Sequence, residues 1–277
     1  AADRGFYWAG AYACDKYIAI GSDDGADDYG EPADSACFYT IDPKSGQIID
    51  KIGGIRGDIR TSTVYDDGYL YFCTKGGIIY KVSVDAYGNL GEVKTADMGG
   101  AITATPVIYN GRIYVGVAGA GGQFDPDGGH FFAVVDSESM TKIRELPIKG
   151  YPQASALLST AYEDEDFNGD GEADGRVYIY FTYNARPGGI YYTYDATNEK
   201  DAAKGSKELF VPDTQMQNYC ISTICTDNDG TLYYKNDSCY LMAVANNVAY
   251  ISDMEIEGAK YWSRSFAPGV TEYDVVM

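Results

Sequence analysis

An internal repeat limits what this chain can fold into more than any other feature. Thr61–Phe72 (TSTVYDDGYLYF) and Ala104–Val115 (ATPVIYNGRIYV) share one plan: a short strand, a two-residue turn, a second strand. The turns are Asp67-Gly68 and Asn110-Gly111, pairs that adopt the positive φ a tight hairpin requires. Weaker copies begin at Asp15 (DKYIAI), Asp174 (DGRVYI) and Asp229 (DGTLYY), so the copies recur every 43 to 64 residues or so. A second hairpin strand follows. Gly76-Gly77, Gly128-Gly129 and Gly188-Gly189 each rise into an apolar run, and Phe38–Gly46 (FYTIDPKSG) shows such a run ending in a polar turn before Gln47–Asp50. Each unit is thus four short antiparallel strands over about 45 to 60 residues, the period of a propeller blade. No stretch longer than a turn or two has a 3.6-residue period. The expectation is an all-β protein, a β-propeller of five blades with four antiparallel strands each, and six blades as the fallback.

The segments 105–115 (TPVIYNGRIYV) and 39–46 (YTIDPKSG) resemble the repeats of the PQQ-like, quinoprotein-type β-propellers, and the resemblance covers residues 6 to 250 or so. It implies the fold strongly and the function weakly, because many members are scaffolds. The alcohol dehydrogenases of that family carry a vicinal Cys-Cys pair and a catalytic Asp in the central funnel, on eight blades. This sequence has no adjacent cysteines. Quinone binding is therefore not expected, and the chain is read as a non-catalytic binding or scaffold module rather than an enzyme. The alternative is a five-bladed glycoside hydrolase, which would need two funnel carboxylates about 5 to 9.5 Å apart.

One motif points to a ligand. Asp166-Phe167-Asn168-Gly169-Asp170-Gly171-Glu172-Ala173-Asp174 reads D-x-N-x-D-G-x-x-D. Oxygen-bearing side chains at alternate positions converge when a loop winds tightly, and Gly171 permits the turn. The expected cofactor is Ca²⁺, held by Asp166, Asn168, Asp170, the carbonyl of Glu172, and Asp174, since hard oxygen donors favour it over transition metals. Val177 stands where an EF-hand has its bidentate Glu. The loop resembles instead the calcium loops of FG-GAP blades, which run straight into a strand. The acidic loops Ser22–Asp28 and Phe124–Gly128 are read as solvated tips, and the single histidine, His130, as structural.

Charge narrows the partners. There are 41 acidic and 21 basic side chains, a net charge of −20. Such a field repels nucleic acid and anionic membranes. No run of 18 apolar residues occurs, so no segment of this chain is expected to span a membrane. The partner is expected to be a protein or a carbohydrate, the location extracellular or at the cell surface, and the chain a monomer. Tyrosine, at 27 residues, is assigned mainly to sheet and core, with a sugar-stacking or protein-binding face as the functional alternative. Six cysteines are too few for a disulfide scaffold and are read as free thiols. The chain starts AADRGFYW, with neither initiator Met nor signal peptide, as a processed or excised segment would. Residues 1–258 are assigned to the propeller. Residues 259–277 are either its closing strand or, through Phe266-Ala267-Pro268-Gly269 and Tyr273-Asp274-Val275, the start of a cadherin-like module that such a stretch resembles. In that second case the chain is a piece of a bacterial multidomain surface protein.

Overall fold

The computed structural model describes residues 5–26, 31–122, 124–211, 219–228, 230–237, 240–245 and 260–265. Strands β1 (Tyr12–Ala13), β2 (Ile18–Gly21), β3 (Asp34–Ile41) and β4 (Ile48–Arg56) form the first sheet. The second contains β5 (Val64–Asp66), β6 (Tyr69–Cys73), β7 (Ile78–Val84) and β8 (Leu90–Asp97). The third has β9 (Val107–Tyr109), β10 (Arg112–Val117), β11 (Phe131–Asp136) and β12 (Lys142–Pro147). The fourth has β13 (Leu157–Tyr162), β14 (Arg176–Thr182), β15 (Ile190–Asp195) and β16 (Lys207–Phe210). The fifth has β17 (Cys225–Thr226), β18 (Thr231–Lys235), β19 (Tyr240–Ala245) and β20 (Lys260–Ser265). Each sheet is four-stranded with strands in consecutive order. This is an all-β protein, and its five sheets match a five-bladed propeller.

The turn residues do what their chemistry predicts. Asp67 and Gly68 lie at φ 41° and 82°, Asn110 and Gly111 at 46° and 73°. Positive φ at both central residues is a type I′ turn, whose twist suits a hairpin. It fixes the register Asp66↔Tyr69 in one blade and Tyr109↔Arg112 in another.

The chain divides into two compact units, Ala1–Ala120 with Phe132–Glu145, and Gly121–Phe131 with Leu146–Met277. In the first unit a core of Tyr17, Phe38, Ile55, Ile59, Leu70, Phe72, Tyr80 and Val82 joins the first two sheets face to face. Phe72 stacks on Phe38 at 4.2 Å and on Tyr80 at 4.9 Å between ring centroids. In the second unit Tyr178, Tyr180, Ile190 and Tyr192 pack with Leu232, Tyr234, Met242 and Val244 of the fifth sheet. Every residue of β14 is buried. Most tyrosines of the strands are therefore core, as aromatic side chains on a doubly covered strand should be.

Five cysteines among the described residues, Cys14, Cys37, Cys73, Cys220 and Cys225, are free thiols. No helix among these residues is long and apolar enough to cross a membrane. The segment 266–277 with the cadherin-like pattern lies outside the described residues, as does Cys239. Lys260–Ser265 is a strand hydrogen-bonded to β19.

Candidate functional site

The fourth blade departs from the repeat. Where the second blade joins its first strands by Asp67-Gly68, the fourth inserts residues 163–175 between β13 and β14. Gly169 and Gly171, at φ 80° and 90°, let this loop wind tightly. The Asp166 carboxylate accepts from Gly169 N at 2.6 Å and Gly171 N at 2.8 Å. Those two amides, Gly171 first, hold its carboxyl below the usual aspartate range. Asn168 Oδ1 accepts from Asp170 N, and Asp170 Oδ1 accepts from Glu172 N at 2.9 Å.

Asp174 differs from the others because it is buried. It accepts from Phe167 N at 3.0 Å and from the Asn168 amide at 2.8 Å, and lies 3.6 Å from Arg176 Nε. Asp174 therefore anchors the loop to the sheet, while Asp166, Asn168, Asp170 and Glu172 sit on its outer winding. Among the described residues no three His, Cys, Asp or Glu side chains are grouped to hold an ion by themselves. The loop's donors are a mixed set of carboxylate, amide and carbonyl oxygens. A carboxylate oxygen that accepts one N–H keeps a second lone pair for another partner.

One reading of the acidic loops needs revision. Asp24 is not a solvated tip: it is 3% exposed and accepts from Ala26 N and Ala33 N, each at 2.7 Å. Its own N–H donates to Asp58, which pairs with Arg60 at 3.0 Å and Lys75 at 3.5 Å. Burial explains this, because a carboxylate withdrawn from water needs N–H donors or cations around it. Desolvation, ahead of the Asp58 charge, raises the neighbouring Asp23 carboxyl. Asp27 and Asp28 lie outside the described residues. In the second loop Asp125 Oδ1 accepts from Asp127 N at 3.0 Å. His130, 1% exposed, donates from Nε2 to the Asp125 carbonyl at 2.7 Å and stacks on Tyr151, so it fastens that loop.

A third feature escaped the sequence reading. Tyr7 and Trp8 stack at 5.0 Å with 17° between planes, and both are more than half exposed. The Arg60 guanidinium carbon lies 5.5 Å from each ring. Trp8 has φ 67°, left-handed backbone that is unusual for a bulky side chain. Three consecutive aromatics, Phe6-Tyr7-Trp8, outside any hairpin were the available signal.

No protein-family model and no curated protein matches the sequence. Solved structures do. The chain is similar to the quinohemoprotein alcohol dehydrogenase from Comamonas testosteroni, with TM-score 0.55, 11% identity, and 94% of this chain on 43% of that one. A europium-containing methanol dehydrogenase gives 0.53 and 12%, covering 92% and 53%. The Dos1 propeller gives 0.51 and 10%, covering 82% and 52%. This is a β-propeller fold. The chain spans about half the length of these neighbours. The same finding corrects the expectation of a non-enzyme. Two of the neighbouring propellers are dehydrogenases, so a missing vicinal cysteine pair and a structural His130 do not place the chain outside the enzymes. Loops from separate blades assemble a site in such a fold, and no contiguous motif need record it.

Proposed function

We propose that this propeller is a carbohydrate-binding module of a secreted or cell-surface protein, a monomeric segment of a longer bacterial chain. The observation that carries the reading is the exposed Tyr7–Trp8 stack. Left-handed backbone at a non-glycine residue costs about 1–3 kcal/mol and is kept where the surroundings impose it. Here it presents an indole 58% exposed to solvent, braced by a second ring and a cation. A flat aromatic face with a hydrogen-bonding cation beside it suits a sugar ring, which has apolar C–H faces and polar edges. The net charge of −20 agrees with a partner that is not nucleic acid. Titration of wild type and Trp8→Ala against a panel of soluble oligosaccharides, followed by calorimetry, tests this. At least one oligosaccharide should bind, and Trp8→Ala should lose about tenfold or more of the affinity, as an aromatic hot spot does. The reading is wrong if no member binds at millimolar concentration, or if Trp8→Ala binds as wild type does.

The same module is proposed to hold one Ca²⁺ in the 166–174 loop. Support comes from the oxygen-only donor set of Asp166, Asn168, Asp170, the Glu172 carbonyl and Asp174, and from the winding at Gly169 and Gly171. The ion's role would be structural, neutralising repulsion within the loop. Asp170→Ala should lower the melting temperature in millimolar calcium and leave it unchanged in EDTA. Equal melting of wild type in calcium and in EDTA would remove the proposal.

A further inference from the structure

A cleft of about 460 Å³ opens beside β15, between the strand and the segment 200–207 that leads into β16. Its lining is anomalous in a chain with 41 acids and 21 bases. Arg176, Lys200, Lys204 and Lys207 face it against a single carboxylate, Asp201. The three lysines lie in an exposed segment, whereas Arg176 is 6% exposed.

Arg176 is the decisive residue. Its guanidinium carbon lies 3.9 Å from the centroid of the Phe167 ring and 4.6 Å from that of Tyr194, so two aromatic faces fix its place. Asp174 Oδ2 is 3.6 Å from Nε, close enough for charge attraction and too far for a hydrogen bond. Among the described residues Nε and Nη1 have no hydrogen-bond partner. Buried guanidinium N–H groups are nearly always satisfied, because leaving one unpaired forfeits its hydration without return. A cation held rigidly by rings, short of acceptors, and lining a lysine-rimmed cleft is the arrangement that receives an acid group.

We propose that the fourth blade binds a small organic anion in this cleft, with the carboxylate or phosphate on Arg176 and Lys200 and Lys204 closing around it. The volume lies in the range that encloses a small molecule and exceeds what an inorganic ion fills. Tyr194, half-buried beside Arg176, lines the wall where the organic part would lie. An acidic monosaccharide has that combination of charge, size and C–H faces. The site shares no residue with the Trp8 face and needs no bound ion, although Phe167 and Asp174 of the 166–174 loop hold Arg176 in place.

Calorimetric titration in EDTA with glucuronate, glucose 6-phosphate, inorganic phosphate and neutral glucose tests it. Wild type and Trp8→Ala should bind one of the two sugar acids equally well, at least about tenfold more tightly than glucose, the margin expected of charge-assisted hydrogen bonds. Which of the two binds distinguishes carboxylate from phosphate. Inorganic phosphate should bind more weakly than the preferred sugar acid. Arg176→Gln should lose that affinity. Because Arg176→Gln also removes the partner of Asp174, Lys200→Gln/Lys204→Gln provides a second reading on exposed residues. It should weaken binding about fivefold and flatten its salt dependence. The proposal is overturned if neither sugar acid binds at 10 mM or so, if glucose binds equally well, if Trp8→Ala abolishes the binding, or if the double lysine variant binds as wild type.

Discussion

The second and fourth blades are built to one plan and differ in what connects their strands. In the second, Asp67-Gly68 closes β5 onto β6 with two residues, and β6 buries Leu70 and Phe72 fully in the core. In the fourth, the loop 163–175 stands at the corresponding place, the register shifts between Ser159 and Tyr162, and β16 begins after a separate segment with a short 3-10 turn, Glu199–Asp201. The hydrogen-bonded frame survives both treatments. What changes is the connection between the first two strands, a two-residue turn in the second blade and the loop 163–175 in the fourth. Such a frame tolerates long connections because loop closure costs grow only slowly with length.

Four experiments would break or sharpen this contrast. The largest effect belongs to the frame. Phe72→Ala, which removes a fully buried ring stacked on two others, should cost about 3–5 kcal/mol in urea unfolding. A loss below about 1 kcal/mol would mean the second blade is not the well-packed reference it is taken to be.

Next come the glycines of the two connections. Gly175 has φ 62°, and an added Cβ would lie 2.1 Å from Thr197 Oγ1, so Gly175→Ala should cost about 2–3 kcal/mol. Gly68→Ala meets only open space at φ 82° and should cost about 1 kcal/mol. The reverse order, measured by urea unfolding of both variants, would overturn the account of how each connection is held.

Third is alkaline pH. Burial, ahead of Asp66, pushes the Tyr71 phenol up to about 12 from 10.0. Its contribution is complete below pH 10, where the phenol is neutral in both states, and is lost as pH rises towards 12. Unfolding followed from pH 8 to 12 should show that fall, and Tyr71→Phe should reduce it.

The smallest effect compares two carboxylates. Asp85 in the second blade is held low first by the Asn89 side chain and then by backbone N–H groups, and Asp166 in the fourth by the amides of Gly171 and Gly169. Both stabilise above pH 3.8 or so and lose that stabilisation as pH falls through their lowered values. Calcium should move the Asp166 titration further down in carboxyl NMR and leave Asp85 where it is. Equal titrations with and without calcium would leave the two loops chemically alike.

How much of this was legible follows from distance along the chain. Type I′ turns are local, so Asp67-Gly68 and Asn110-Gly111 announced themselves, and the strands after Gly76-Gly77 and Gly188-Gly189 came with them. The loop 166–174 was legible as a loop for the same reason. The burial of charged side chains was not legible, because partners far along the chain cause it. Asp24 is drawn inside by Asp58, 34 residues away, and donors at Ala33. Arg176 looks like an ordinary strand start until Phe167 and Tyr194 enclose it. Trp8 gave no sign of its left-handed backbone, since φ at a tryptophan is imposed by surroundings rather than by propensity.

The consecutive order of strands in every sheet has a consequence for how the molecule comes into being. Among the described residues each hydrogen-bonded strand pair of a sheet joins neighbours along the chain, so none of these ladders waits for a distant segment before it can close. Pairings between near neighbours lose little chain entropy and form early. As the polypeptide leaves a ribosome or an export channel, one meander after another can zip up behind the exit, in the order in which the residues emerge. The side-chain faces between meanders are then the late step. The unpaired strand edges that make nascent β-chains stick to one another are exposed for about the time it takes to deliver one repeat.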